Sequence, residues 1–261
     1  MSDEVIVRRQ GDDVSEVVIN RPDARNALDW ETWRQLSAAL AELRDDPATR
    51  GLLISGSADF FSGGGDLKSS GSAGSGVLAS TGRLELAHRV ITEIYRFPKP
   101  TIAAVEGAAV GVAWGMVLAC DFVVAAKDAS FNAPFVLRGY APDGGVGWFL
   151  ARALGRHRTL ELLLLADRLG APDAFALGLV TRLSEPGLAR AEAISLASRV
   201  MAASPDAIRL TRGSVRQAMN LSLAEYLDDE ALRVALALSG PDALEGRAAF
   251  AERRPPKFRQ D

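Results

Sequence analysis

The apolar positions first come in short runs. Val5-Ile6-Val7 and the segment from Val14 to Asn20 lie on either side of the turn residues Gly11-Asp12-Asp13, which predicts a pair of strands. Asn20-Arg21-Pro22-Asp23 ends the second strand. From Asp29, an expected N-cap, the period becomes helical, with Trp30, Trp33, Leu36, Leu40 and Leu43 on one face. The short apolar run Gly51-Leu52-Leu53-Ile54-Ser55 predicts a buried strand. Leu84, Ala87, Ile91 and Ile94 mark a second amphipathic helix, which Pro98 stops. Thr101-Ile102-Ala103-Ala104-Val105 and Phe122-Val123-Val124-Ala125-Ala126 predict further strands, with a helix from about Gly111 between them. Strand, loop and helix recur in that order, which predicts an α/β fold with helices packed on sheet surfaces.

From about residue 186 the pattern is almost entirely helical. Leu223, Leu227, Ala231, Val234 and Leu238 form an apolar stripe, and Arg253-Arg254-Pro255-Pro256-Lys257-Phe258 ends it. Such a region suits oligomer contacts or a helical layer on the same core, and the pattern leaves both open.

Composition narrows the picture. The 261 residues suffice for one large domain or a domain with an appendage, and 48% hydrophobic with 24% charged residues is ordinary for a soluble protein. A net charge of −3 without a long basic run disfavours a nucleic-acid surface. No uninterrupted apolar stretch reaches the ~20 residues a membrane span requires. The single cysteine, Cys120, has no internal disulfide partner, and the first residues carry no signal-peptide pattern, so a cytoplasmic protein is expected. Two histidines, His88 and His157, cannot build the usual metal constellations, and there is no HExxH, CxxC, GxSxG or Walker A sequence. Gly145-Val146-Gly147 is a bare G-x-G without the strand a dinucleotide site needs. No metal and no separate cofactor are expected.

Two glycine-rich stretches carry the chemistry. Phe61-Ser62-Gly63-Gly64-Gly65-Asp66-Leu67-Lys68 follows the run at 51–55, and Gly107-Ala108-Ala109-Val110-Gly111-Val112-Ala113-Trp114-Gly115 follows the run at 101–105. Small residues let the backbone approach a ligand and aim N–H groups at it. Two such N–H groups form an oxyanion hole, which stabilises charge developing on a carbonyl oxygen. The same residues also suit close packing of strand on helix. Between the two loops, residues 69–82 are rich in Ser and Gly and are expected to be mobile.

At these residues the chain resembles the crotonase, or enoyl-CoA hydratase/isomerase, superfamily. The resemblance runs from Asn20-Arg21-Pro22-x-x-Arg25-Asn26-Ala27-Leu28, through the F-S-G-G-G-D-L-K loop, Pro98-Lys99-Pro100, Gly107 and Cys120-Asp121, to Ala171-Pro172-x-Ala174, Gly178-Leu179-Val180 and Glu245-Gly246-Arg247-Ala248-Ala249-Phe250. It implies a spiral of ββα units over residues 1–200, a helical trimerisation region over 201–261, and an acyl-CoA thioester as ligand. A homotrimer or a hexamer built as a dimer of trimers is implied as well. The implied oxyanion donors are the backbone N–H groups of Gly65 and Val112, where relatives usually have Gly or Ala at the second position. Ala24, Arg25, Ala27, Gly63, Lys68, Phe135, Tyr140 and Lys257 are the implied substrate- and CoA-binding positions.

The catalytic positions depart from the family. Its hydratases use two glutamates around one water, and the corresponding residues here are Gly115 and Phe135. Adding water to a 2-enoyl thioester needs a base for the water and an acid for the α-carbon, and neither residue can serve. Ala141-Pro142-Asp143-Gly144-Gly145 instead places Asp143 in the register of the isomerase branch, as a single base. Pro-Asp-Gly is also an ordinary turn, and an Asp before a helix an ordinary N-cap. The expectation is transfer of a double bond from 3-enoyl-CoA to 2-enoyl-CoA by Asp143, with Phe135 and Trp148 keeping the site dry. The alternatives are thioester hydrolysis, dehalogenation, decarboxylation, C–C cleavage, residual hydration, or a binding protein without catalysis. Asp66 is expected to brace the oxyanion loop, Glu106 to be structural, and His88 and His157 to have no role.

Overall fold

The two apolar runs at the start of the chain form β1 (Val5–Gln10) and β2 (Val14–Ile19), an antiparallel pair in which Val5 lies opposite Ile19. The structure is a computed structural model that describes residues 3–11, 13–68 and 77–258. β3 (Gly51–Gly56), β4 (Thr101–Val105), β6 (Phe122–Ala126) and β9 (Arg182–Ser184) extend this pair in parallel, giving the order β1-β2-β3-β4-β6-β9. A second sheet pairs β5 (Ala108–Val110) with β7 (Ser130–Asn132) in parallel, and β7 with β8 (Leu169–Gly170) antiparallel. The α/β expectation holds. The short strands β5, β7, β8 and β9 had no counterpart in the sequence reading.

Among the described residues, five α-helices and the first part of a sixth accompany these sheets in the first compact unit, residues 1–197. α1 (Trp30–Asp45) starts at Asp29, whose Oδ1 accepts the Thr32 N–H at 2.9 Å. Its inner face is Trp33, Leu36, Ala39, Leu40 and Leu43, packed with α2 (Val77–Tyr95). Trp30, expected on that face, is exposed: it is the first helical residue, and its ring lies beside Gly82. Of the Ser/Gly-rich stretch 69–82, residues 69–76 lie outside the described residues, while 77–82 form the first turns of α2. α3 (Val112–Ala119) has no polar face, and all its residues but Leu118 are buried. α4 (Val146–Leu164) carries a break at Gly155 (φ 72°), and α5 (Ala171–Ala176) is short. α6 (Ala189–Met201) runs across the division between the two units.

Two carboxylates tie this frame together. Glu16 is completely buried on β2 and accepts from Ser55 Oγ (2.7 Å), Gln10 Nε2 (2.8 Å) and both Nε and Nη2 of Arg190 (2.7 and 2.6 Å). Burial alone would raise its pKa, but the Arg190 and Ser55 bonds outweigh that and hold it below the usual carboxylate range. Glu106, expected to be structural, accepts the N–H groups of Gly187 (3.0 Å) and Ala189 (2.8 Å) at the start of α6.

The second unit, residues 198–261, is built from α7 (Pro205–Ala218), α8 (Leu223–Ser239) and α9 (Pro241–Glu252). α8 opens with a full capping box, Ser222 and Glu225 bonding each other's backbone. Its apolar stripe is exposed, Leu223, Leu227, Val234 and Leu238 among it. Glu245 is bound by Arg254 at 2.6 and 2.9 Å and by the Lys257 N–H at 2.6 Å, which hold its pKa at about 2. No helix among the described residues is long and apolar enough to cross a membrane.

Candidate active site

The two glycine loops are bonded side by side like strands. Phe61 N–H donates to Glu106 O (2.9 Å), Ser62 N–H to Ala108 O (3.0 Å), and Val110 N–H to Ser62 O (3.0 Å). The approach is so close that a Cβ on Gly64 (φ 86°) would lie 2.5 Å from Val110 O. Glycine is required there both for its backbone angle and for space.

A third segment, 20–29, braces this pair. Arg25 and Asn26 both adopt left-handed backbone angles (φ 51° and 53°), which turn the Asn26 side chain inward. Asn26 is fully buried, and its Nδ2 donates to Ser57 O (2.9 Å) and Phe60 O (2.6 Å). Its Oδ1 accepts from Arg21 N–H (2.9 Å) and Ser57 Oγ (3.0 Å), and its carbonyl accepts from Ser62 Oγ (2.7 Å). Arg21 lies at the centre of three carboxylates, Glu4 (3.3 Å), Asp29 (3.1 Å) and Asp66 (3.2 Å). Asp66 also accepts the Lys68 N–H at 3.0 Å, so the brace expected of it is present. Burial works to raise both neighbouring acids. It prevails at Glu4, aided by nearby Asp29, whereas at Asp29 the Thr32 N–H and hydroxyl bonds reverse it and the pKa is lowered.

These loops form one side of a cleft of about 680 Å³. Gly63, Gly64, Gly65 and Leu67 come from the first loop, Val110, Gly111 and Val112 from the second, and Pro134 to Asp143 supply much of the rest. The sequence-predicted residues Gly63, Gly65, Val112, Phe135, Tyr140 and Asp143 therefore line one space. Neighbouring N–H groups are used, with Gly64 donating to Ser62 Oγ, Asp66 to Leu28 O and Gly111 to Asn132 O. The N–H groups of Gly65 and Val112 donate to no protein acceptor among the described residues. Val112 is the first residue of α3, where a helix leaves its N–H groups without intrahelical partners.

Both positions of the family's glutamates are filled by other matter. The Phe135 ring packs on Gly111, where an added Cβ would lie 3.6 Å from Cζ. A Cβ on Gly115 would lie 2.2 Å from the carbonyl oxygen of Gly144. Asp143, the residue before Gly144, is half-buried with Oδ1 out of reach of solvent, and it is the one carboxylate in the cleft wall among the described residues.

Other predicted residues lie elsewhere. Ala24 and Arg25 are exposed on the turn beneath the first loop, where Arg25 O accepts the Gly63 N–H at 2.9 Å. Ala27 is half-buried, with its carbonyl bonded by Arg21 Nη1 at 2.5 Å, and Lys68 is exposed. Lys257 belongs to the second unit. Tyr140 is 56% exposed and sits at the rim. Trp148 does not line the cleft. It packs edge-on against Tyr95 and Phe149 beneath the Arg152 guanidinium, so the apolar wall is Phe135 without Trp148.

The sequence reading missed Leu67, Leu84, His88 and Arg138 as wall residues. His88 had been given no role, yet Leu84 and His88 are four residues apart on α2 and so share the face turned to the cleft. That spacing was the available signal. Asn26 gave no sign of its bonding role, because four of its five bonds go to groups more than 30 residues away.

The profile of the enoyl-CoA hydratase/isomerase family matches residues 9–261. The crotonyl-CoA hydratase of Syntrophomonas wolfei is 32% identical over 259 residues, covering 99% of each chain. The mitochondrial enoyl-CoA hydratase domain-containing protein 2 of Bos taurus is 35% identical over 250 residues, 94% of this chain and 84% of that one. Among solved structures, an enoyl-CoA hydratase from Polaromonas sp. JS666 superposes with a TM-score of 0.94 at 33% identity, covering 98% of this chain and 99% of the other.

Proposed function

The chain belongs to the enoyl-CoA hydratase/isomerase family, and we propose that within it this protein moves the double bond of a 3-enoyl-CoA to the 2,3 position, with Asp143 as sole base and acid. The observation that carries this reading is the single carboxylate in the cleft wall among the described residues. A 1,3 proton shift needs one group that accepts a proton and returns it, whereas hydration needs a base for water and an acid for carbon.

In the proposed reaction the thioester oxygen accepts from the Gly65 and Val112 N–H groups. Charge building on that oxygen is stabilised, which acidifies the C2–H bond. Asp143 takes the C2 proton, the electron pair delocalises into a dienolate, and the protonated carboxyl returns the proton to C4. No atom is gained or lost, and no cofactor takes part beyond the coenzyme A of the substrate. Phe135 and Pro134 supply an apolar wall that keeps bulk water from competing for the intermediate. Arg25 and Lys68 are proposed to meet the CoA phosphates. The exposed stripe of α8 supports assembly as a homotrimer or a dimer of trimers, and the lone cysteine supports a cytoplasmic setting.

The names of the relatives favour a second reading, hydration of a 2-enoyl-CoA at a residual rate. One experiment separates the two. Wild type and Asp143→Asn are assayed for 3-enoyl-CoA isomerisation and 2-enoyl-CoA hydration over several acyl lengths. Isomerisation that falls at least ~10²-fold in the variant is expected for loss of a general base. Hydration without isomerisation, or full isomerisation by the variant, rejects the proposal.

A further inference from the structure

We infer that Gly115 is a positioning residue: with the Val112 side chain it forms the seat on which the turn 142–145 rests, and that seat sets where Asp143 stands in the cleft. The inference rests on the reading of Asp143 as the acid-base group.

Val112 and Gly115 are three residues apart on α3, one turn along the same face. The turn lies on that face with no room to spare. A Cβ on Gly115 would meet Gly144 O at 2.2 Å, its carbonyl carbon at 2.9 Å and its Cα at 3.3 Å. The obstacle is backbone, which has no rotamer with which to give way. From the other side, a Cβ on Gly144 would lie 2.7 Å from Val112 Cγ2 and 3.1 Å from Val112 Cα. Gly144 also adopts φ 61°, which glycine reaches without strain. Val112 and Gly115 both depart from the family pattern, and with Gly144 they form one packing unit.

A side chain at 115 and Asp143 in its present place therefore exclude one another. Restoring an ordinary contact of ~3.5 Å from 2.2 Å requires the turn to retreat by more than about 1 Å. The residue next to the obstructing peptide is Asp143, so the carboxylate retreats with it. A displacement of this size can cost up to ~10²-fold in rate while the groups that bind the thioester stay in place. For the same reason a glutamate at 115 does not convert this protein into a two-carboxylate hydratase.

The test compares Gly115→Ala with wild type, Asp143→Asn and Gly147→Ala. It reads kcat and KM for isomerisation, the Kd for a saturated acyl-CoA, and Tm. Alanine suits a helix interior better than glycine, so α3 itself is not weakened. The expected result is a kcat at least ~10-fold lower with the Kd within ~3-fold, the pattern of lost transition-state positioning. Gly147→Ala, whose Cβ would meet only Leu163 Cδ1 at 3.7 Å, keeps wild-type kcat. Adding Asp143→Glu, one methylene longer, raises kcat in the Gly115→Ala background and lowers it in wild type, a reversal of sign that independent sites do not give. Should the alanine at 115 not fold, Val112→Ala removes the other half of the seat, and kcat again falls with the Kd unchanged. Wild-type kcat in Gly115→Ala, in Val112→Ala if that replaces it, or equal lowering by Asp143→Glu in both backgrounds, overturns the inference. If Asp143→Asn is inactive when this happens, only the positioning claim fails; if Asp143→Asn is active, the acid-base reading has failed first.

Discussion

The loop 57–66 and the turn 139–145 wall the same cleft, but different physics holds them. The loop is fixed by directional bonds. Asn26 alone makes five through its side chain and carbonyl, and the Arg21 guanidinium draws three carboxylates around the segment below. The turn has local backbone bonds, Gly139 N–H to Val136 O (3.2 Å), Tyr140 N–H to Phe135 O (3.0 Å) and Val146 N–H to Asp143 O (3.3 Å), and it is packed tightly against Val112 and Gly115. A bonded frame fails when any one partner is lost. A fitted turn tolerates changes to what it presents and fails when its seat changes shape. In the proposed reaction the loop is the anion-stabilising half and the turn the acid-base half, a division that suits one scaffold serving several reactions.

The largest effect should come from the bonded half. Asn26→Ala leaves two part-buried carbonyls and a part-buried N–H without this partner, and about 3 kcal/mol of stability is expected to go with them, read by urea unfolding. A loss below about 1 kcal/mol would erase the contrast drawn above.

A smaller effect is expected from pH. The folded pKa of Glu16 is depressed, so its contribution is fully present above the unfolded carboxylate value of about 4.3 and is lost as pH falls through the lower folded value. Wild type should therefore lose stability below about pH 4 more steeply than Glu16→Gln does, in unfolding curves recorded from pH 3 to 7. Parallel curves would mean the Arg190 bonds do not couple to folding.

The smallest effect belongs to the fitted half. Tyr140 is a rim residue, so Tyr140→Phe should change kcat/KM less than ~2-fold, within the range of ordinary surface changes. A tenfold loss would show that its hydroxyl takes part, and the turn would then be more than a fitted carrier of Asp143.

How much could be read from sequence follows the same division. Uniform apolar runs announced β4 at 101–105 and β6 at 122–126, with the boundaries the structure has. The N-cap at Asp29 was equally plain. β5, β7 and β8 were not, since two or three residues carry no period and are strands only because a neighbouring segment bonds them. The glycine loops were legible because their composition is rare. Asn26 was legible as part of a motif but not as a hub, since most of its partners are remote in sequence. Trp30 was misplaced because helical period cannot tell the first turn from the buried ones. Gly115 read as the absence of a glutamate, and only the position of Gly144 shows what fills the space.

The burial of α3 has an electrostatic consequence. Its aligned peptide dipoles place roughly half a positive charge at the N-terminus, at Val112. Apolar residues enclose almost its whole length, so mobile ions meet that field only through the cleft at Val112 and screen it less than a surface charge. In the proposed reaction, added salt should then weaken the grip of exposed cations such as Lys68 on a phosphate more than it weakens the hold on a negative thioester oxygen. Ionic strength becomes a dial that separates capture of the substrate from its activation.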